Sequence, residues 1–201
     1  DKKRTKTPHQ RACWVLFAFT AFMLGLSLLS EYFWRPTGRA AYLNIALLEA
    51  VPILSVVSLY LLVRKEKPLP FFRLRGISIK TALFMALFGV CAQGMGIFLN
   101  IPITYLTSLI GELPQNTALQ PSTLPDYLLG LVSIALIPAI FEELLCRGIL
   151  LREYENYSFR TAVLASALCF AVVHNTFYTL PFTLFFGVIL AIVTIRTKSI
   201  F

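Results

Sequence analysis

Long intervals without charged residues divide the chain into segments that are apolar enough to cross a membrane. A transmembrane helix needs about 20 apolar residues, and the intervals 12–30 and 40–63 meet this length, the second with Glu49 as its only charge. A third interval, 81–111, is longer than one span. We expect its helix to end or break at Asn100–Pro102, because a proline removes a backbone hydrogen bond.

The C-terminal half of the chain continues this pattern. A fourth apolar segment begins near Tyr127 and reaches span length only if it runs through Glu142 and Glu143. Residues 161–195 carry no charge, and as one helix they would be about 52 Å long, so they must form two spans. The polar residues and the proline of HNTFYTLP, 174–181, predict the break. The sequence therefore predicts an all-α, polytopic transmembrane bundle of about six spans.

Composition supports an integral membrane protein. Of 201 residues, 57% are hydrophobic and only 14% are charged, and the mean hydropathy is +0.74. The net charge of +8 does not indicate a nucleic-acid partner, because the basic residues alternate with apolar runs instead of gathering on one face. The compact, short-looped chain favours a bacterial plasma membrane. We interpret the four cysteines, which show no CxxC spacing, as small core residues.

The distribution of Lys and Arg predicts the orientation. Alternate connections carry 16 basic residues on one side of the membrane and 2 on the other, which places both termini in the cytoplasm. The predicted segments are a basic cytoplasmic tail (1–11), N-terminal membrane helices (12–111), an extracytoplasmic loop (112–126) and a C-terminal core (127–201).

The stretch FEELLCRG, 141–148, places two adjacent carboxylates and an arginine inside the fourth predicted span. Glu143 and Arg147 are four residues apart, so on an α-helix they share one face and are expected to pair. Glu142 and Arg147 are five apart, about 140° round an α-helix, so Glu142 needs another partner. Because an intramembrane carboxylate is costly unless it is paired or hydrated, Glu142 is a predicted functional residue.

His174 is the predicted partner of Glu142. The other histidine, His9, lies in the polar tail, so His174 is the only imidazole within the predicted spans. The turn REYENYSFR, 152–160, is charged and is expected to stand in water, with Ser158 as the N-cap of the next helix. In an antiparallel hairpin folded at Ser158, Glu142 and His174 are level, about 24 Å above the turn.

A carboxylate and a neutral imidazole at the same height can deprotonate a water molecule held between them. Hydrolysis of a peptide bond then needs no metal, and we predict no cofactor. A zinc site is the weaker alternative, because HExxH is absent from the sequence. Cys146 lies one turn beyond Glu142, and we interpret it as a small buried residue rather than a nucleophile.

Two motifs carry a resemblance to a known family. EELLCR, 142–147, matches EExxxR, and FAVVH, 170–174, matches FxxxH, two motifs of the CAAX prenyl endopeptidase and bacteriocin-processing (CPBP, or Abi) intramembrane proteases. The chain from about residue 125 to 201 therefore resembles these glutamic endopeptidases. Upstream it is similar to them only in having several spans.

The resemblance implies a role for each matching residue. Glu142 would activate the water with His174 as its partner, Glu143 and Arg147 would be a supporting pair, and Phe170 would form a wall of the site. The family has a later HxxxN or HxxxD motif that stabilises the oxyanion, whereas no histidine follows His174 in this chain. Two expectations follow: either the protein continues past Phe201 into the helix with that motif, or it is a degenerate member.

The predicted substrate is a membrane-associated peptide or a lipidated protein, so the predicted partners are membrane lipid and that substrate. In bacteria the activity would serve peptide maturation or bacteriocin self-immunity. Two other classes remain open. One is a non-catalytic membrane scaffold or immunity protein of the same fold, and the other is a proton- or ion-coupled transporter, for which Glu49 is a further intramembrane acid. The sequence does not indicate the oligomeric state.

Overall fold

The computed structural model describes residues 7–74, 76–111, 121–174 and 176–200, and its regular elements within those ranges are all helices. Most of the predicted basic tail and of the predicted extracytoplasmic loop, 1–6 and 112–120, lies outside the described residues, as do positions 75, 175 and 201. The helices are α1 (Pro8–Phe33), α2 (Arg39–Arg64), α3 (Pro68–Phe71), α4 (Ile79–Ser108), α5 (Leu124–Gly130), α6 (Ile137–Glu143), α7 (Leu151–Glu155), α8 (Phe159–Val173) and α9 (Leu180–Thr197).

The predicted all-α bundle is confirmed. Within the described ranges, five helical segments are long and apolar enough to cross a membrane: α1, α2, α4, the continuous helix Leu124–Glu155, and Phe177–Thr197. The sixth apolar helix, α8, has 15 residues and is about 22 Å long, which is less than the hydrocarbon core of a bilayer. The predicted break before Pro181 is present, since α8 ends at Val173 and a single 3₁₀ turn precedes α9.

The predicted break at Asn100–Pro102 is wrong, because α4 runs through it without interruption. Pro102 removes one hydrogen bond, and membrane helices tolerate this loss where neighbouring groups compensate. Asn100 has a different role from the one expected. Its side-chain oxygen accepts a hydrogen bond from the backbone N–H of Phe182 at 3.2 Å, in the first turn of α9, where N–H groups have no partner within the helix. Asn100 thus caps a neighbouring helix.

Both glutamates of FEELLCRG lie inside one continuous helix, Leu124–Glu155, as predicted. Its hydrogen bonding is not uniform, because Leu131–Leu136 and Leu144–Leu150 are π-helical. A π-helix bonds each N–H to the carbonyl five residues earlier, so each residue turns by less than the 100° of an α-helix. The α-helical geometry used to separate Glu142 from Arg147 therefore does not hold beyond Glu143.

The chain forms two compact units, and the continuous helix passes from one to the other between Leu145 and Cys146. These two units are defined by packing alone. The predicted division into N-terminal membrane helices (12–111), a loop (112–126) and a C-terminal core (127–201) stays a prediction. The first unit comprises 1–67 and 115–145, and the second comprises 68–114 and 146–201.

In the first unit, α1 and α2 form a hairpin that is joined by a hydrogen bond from the Ser30 hydroxyl to the Asn44 side-chain oxygen at 3.1 Å. α2 also packs against α6 and the π-helical residues before it. There the ring of Tyr42 lies on Gly130, where an added Cβ would be 3.1 Å from a ring carbon. The absence of a side chain at Gly130 therefore lets the aromatic ring reach the helix backbone.

In the second unit, α8 and α9 approach closely through small residues. A Cβ added to Gly187 would lie 3.0 Å from the Cα of Ala167 and 3.2 Å from its carbonyl oxygen. Glycine and alanine at a helix interface let membrane helices come near enough for backbone contact. α9 also packs against α4, where the rings of Phe88 and Phe186 are stacked with centroids 6.2 Å apart.

The connection between α2 and α4 covers part of the charged turn after the continuous helix. Arg73 donates two hydrogen bonds to the carboxylate of Glu155, at 2.8 and 2.6 Å. These hydrogen bonds are the main cause of the raised pKa of Arg73. The guanidinium of Arg152 lies 4.2 Å from the ring centroid of Phe71 and donates to that residue's carbonyl. Glu153 is buried. The expectation that this turn stands in water is therefore wrong for Glu153, which is buried, and Phe71 and Arg73 contact the half-buried Arg152 and Glu155.

Removing the carboxylate of Glu155 should loosen this cover. We expect Glu155→Gln to lower the free energy of unfolding by about 1–2 kcal/mol, because a partly buried pair with two hydrogen bonds is worth more than an exposed one. Thermal unfolding in detergent measures the loss. The exposed pair Arg35–Glu31 provides the control, and Glu31→Gln should change stability by no more than about 0.5 kcal/mol. Equal losses in the two variants would contradict the structural role of the Arg73–Glu155 pair.

Candidate active site

His174 lies at the C-terminal end of α8 and is half-buried. The carbonyl oxygen of Phe170, one turn earlier, accepts from the backbone N–H of His174 at 3.2 Å and from its ring Nδ1 at 3.0 Å. A carbonyl oxygen can only accept, so Nδ1 carries the proton. In this tautomer of the neutral imidazole, Nε2 carries a lone pair, as a general base requires.

The ring of Phe170 contacts two of the other predicted site residues. The centroid of the phenyl ring is 4.3 Å from that of the His174 imidazole, at an interplanar angle of 61°. The guanidinium carbon of Arg147 lies over the phenyl ring, 4.2 Å from its centroid. Phe170 itself is 4% exposed. The structure therefore brings Arg147, Phe170 and His174 together in one cluster, and the role of Phe170 as a wall of the site stays a prediction.

Arg147 belongs to the π-helical segment Leu144–Leu150 and is 2% exposed. Arginine stays charged in proteins, and a buried cation gains from the negative face of an aromatic ring at this distance. π-helical turns occur often at functional sites, because the extra residue in a turn changes the direction of a side chain. The widened turn at Arg147 is thus a feature of the site that the spacing of charged residues does not reveal.

Glu142 and Glu143 are the last two residues of α6, and both are half-buried. They belong to the first compact unit, whereas the cluster of Arg147, Phe170 and His174 belongs to the second. The pairing of Glu142 with His174 and the pairing of Glu143 with Arg147 stay predictions.

Two residues that the sequence did not single out support the cluster from within the second unit. A Cβ on Gly187 would lie 3.2 Å from Cδ1 of Phe170, so this glycine leaves the room that the ring occupies. The hydroxyl of Ser166 donates to the carbonyl of Cys146 at 3.4 Å and thereby joins α8 to the π-helical turn before Arg147. The four-residue spacing of small side chains in α9 was the signal that could have identified Gly187.

The cysteines lie in two environments. Cys146 is completely buried, as expected for a small core residue, and Cys169 is also buried. Cys13 and Cys91 are exposed, so the interpretation of all four as core residues is wrong for these two. An apolar span also presents an outward face to its surroundings, and a cysteine can lie there. Among the described residues, no group of three His, Cys, Asp or Glu side chains is arranged to hold a metal ion.

Comparison with known proteins places this cluster in a family context. Residues 124–201 match the family model described as type II CAAX prenyl endopeptidase, Rce1-like. The C-terminal segment resembles these Rce1-like endopeptidases. The resemblance inferred from two short motifs is thus confirmed for this part of the chain, which contains both of them. No curated protein and no solved structure matches the chain.

The Rce1-like match covers less than half of the chain and leaves α1, α2 and α4 outside it. With the five long apolar helices, it makes this chain an integral membrane protein that has a CAAX-protease-like segment. Within the Rce1-like segment lie all five predicted site residues: Glu142, Glu143, Arg147, Phe170 and His174.

Proposed function

We propose that the protein is an intramembrane endopeptidase that cleaves membrane-associated or lipidated peptides and proteins with a water molecule activated by Glu142 and His174. The observation that carries the proposal is the hydrogen bond from Nδ1 of His174 to the Phe170 carbonyl at 3.0 Å, within the Rce1-like segment. This bond orients the imidazole and places the proton of the neutral ring on Nδ1, so that the lone pair of the ring is on Nε2.

In the proposed reaction, the carboxylate of Glu142 takes a proton from a water molecule that is oriented by Nε2 of His174. The water oxygen forms a bond to the carbonyl carbon of the scissile peptide. When the C–N bond breaks, the proton held by Glu142 passes to the leaving nitrogen, so that one water is consumed and one carboxylate and one amine are formed. No cofactor takes part in the proposed steps.

The supporting residues act on position and charge. The ring of Phe170 packs edge-on against the imidazole, and the guanidinium carbon of Arg147 lies 4.2 Å from the centroid of the same phenyl ring. In this proposal Glu143 pairs with Arg147 and compensates the positive charge next to Phe170, while Glu142 acts on the water. Buried charges without such compensation are costly in a membrane protein.

Cleavage by the full-length protein in liposomes tests the proposed function. The substrates are a farnesylated peptide with a C-terminal CAAX sequence and the same peptide without the lipid, and mass spectrometry detects the products. We expect cleavage of the lipidated peptide, unchanged by a chelator such as EDTA or phenanthroline. Loss with chelator and recovery with zinc would contradict the metal-free mechanism. If no peptide is cleaved, a non-catalytic scaffold is favoured, and proton-coupled flux into the liposomes would favour a transporter.

The proposed orientation places both termini in the cytoplasm of a bacterial cell. In a Cys13→Ser/Cys91→Ser background, we expect Ser122→Cys to react with a membrane-impermeant maleimide on intact cells, because the connection before α5 would face outward. Tyr157→Cys should react only after the cells are made permeable, because the connection before α8 would face the cytoplasm. Both positions are exposed in the structure, which makes their accessibility comparable. The reverse pattern of labelling would overturn the orientation.

A further inference from the structure

The hairpin of α1 and α2 contains a groove with a volume of about 520 Å³, which is in the range of sites for small molecules. It lies in the first compact unit, upstream of the Rce1-like segment. Neither Glu142 nor His174 lines it. The groove is therefore lined by residues other than the predicted catalytic pair.

Two helical stripes form the walls of the groove. In α1 the lining residues follow helical spacing from Arg11 to Ala18, and in α2 they do so from Val56 to Arg64. Because the helices form an antiparallel hairpin, the beginning of α1 and the end of α2 meet at one end of the groove. The groove thus has Arg11 and Arg64 at this end and aliphatic and aromatic side chains over about 10 Å beyond it.

The groove has an apolar floor and an open side. Val15 and Val56 are each 6% exposed and form the floor, whereas Trp14 is 55% exposed on the rim. Tyr60 also lines the groove near the end with the two arginines. Tryptophan and tyrosine are typical of the level where a membrane meets water. The charged end of the groove is therefore suited to lipid headgroups, and its apolar part is suited to an acyl chain.

The charge at this end selects the class of lipid. Arginine is permanently charged and offers five N–H donors, so Arg64 keeps donors for a phosphate although Glu66 lies 3.9 Å away. Among the described residues that line the groove, none is acidic. Lys65 and Lys67 follow directly in the sequence and add positive charge. A zwitterionic headgroup has a cationic group that the positive charge at this end would repel. An anionic headgroup has no such group.

We propose that this groove binds one anionic phospholipid, with the phosphate between Arg11 and Arg64 and an acyl chain along Val15, Ala18 and Val56. This proposal does not depend on the catalytic mechanism. It assigns the two N-terminal helices a lipid-binding role that the Rce1-like match does not cover.

Native mass spectrometry of the full chain tests the proposal without any substrate. The protein is equilibrated with phosphatidylglycerol or with phosphatidylcholine of the same acyl chains, and the retained lipid is counted. We expect one phosphatidylglycerol per chain to be retained in preference to phosphatidylcholine. Arg11→Gln together with Arg64→Gln should weaken this binding about thirtyfold, from the usual contribution of two basic residues near an anionic lipid.

Two further variants make the result specific. Arg35→Gln removes an arginine after the other end of α1, and it should leave phosphatidylglycerol binding unchanged. Ala18→Phe keeps both arginines and fills the apolar part of the groove, so it should weaken binding while circular dichroism remains that of the wild type. Equal retention of both lipids, equal losses in the Arg35 and Arg11/Arg64 variants, or formation of a dimer in place of lipid binding would overturn the proposal.

Discussion

Replacing His174 by asparagine should lower kcat/KM for peptide cleavage about 10²–10⁴-fold, the usual contribution of a positioned general acid or base. The side-chain amide of asparagine can donate to the Phe170 carbonyl as Nδ1 does, but it has no group in the place of Nε2. The variant therefore keeps the local hydrogen bond and loses the proposed function of the ring. We expect the loss of activity to appear in kcat. The unfolding temperature should stay close to that of the wild type.

A second substitution separates catalysis from local structure. His174→Gln places its amide nearer to the position of Nε2 but loses the hydrogen bond with which Nδ1 orients the ring, so it should also be inactive, whereas Val172→Ala, on an exposed position of the same helix, should remain active. If histidine were only the cap of α8, the asparagine variant would retain activity and the glutamine variant would lose stability. Activity in His174→Asn would thus exclude Nε2 as the catalytic atom.

Replacing Gly187 by alanine should have the largest effect on stability. The new Cβ would lie 3.0 Å from the Cα of Ala167, a backbone atom that cannot move unless the whole of α8 moves. Insertion of a methylene group into such a close contact typically lowers the free energy of unfolding by about 1–3 kcal/mol. Because the same Cβ would lie 3.2 Å from the ring of Phe170, we expect cleavage to fall as well. Thermal unfolding and kcat/KM, measured on one preparation, test both effects.

Gly94 provides the matched control for Gly187. It lies in α4, another membrane helix, and an added Cβ there meets no atom within 4 Å. Gly94→Ala should therefore be neutral or should stabilise the protein by about 0.5–1 kcal/mol, as expected for alanine in a helix. Ala167→Gly should not rescue Gly187→Ala, because the atoms in contact belong to the Ala167 backbone. Full rescue would show that side-chain crowding is the cause.

The helices could be predicted from the sequence because their signals are local. A charge-free interval of span length, such as 12–30, is sufficient to indicate a membrane helix. The N-cap at Ser158 was also predictable, and its hydroxyl accepts a hydrogen bond from the backbone N–H of Thr161 at 3.1 Å. The relation of Phe170 to His174 follows from a four-residue spacing in one helix, and the contact between their rings agrees with it.

Other features depend on partners that are distant in sequence. Arg73 pairs with Glu155 of the charged turn across 82 positions of sequence, and a local pattern cannot indicate such a pair. Continuation of α4 past Pro102 likewise depends on its surroundings. The π-helical turns differ from α-helix in hydrogen bonding and not in hydrophobicity, so the periodicity of apolar residues does not reveal them. The angle inferred between Glu142 and Arg147 assumed α-helical turns throughout, whereas Leu144–Leu150 is π-helical.

A double-mutant cycle for Glu142 and His174 tests most directly whether the two residues activate the same water. The cycle compares kcat/KM for the farnesylated CAAX peptide in the wild type, Glu142→Gln, His174→Asn and the double variant. Glu49→Gln, which alters a half-buried acid in α2, provides the control and should remain active. Residues that act as a unit lose little more together than either loses alone, so the double variant should be about as active as the weaker single variant. Losses that multiply, or full activity in either single variant, would contradict a shared role of Glu142 and His174.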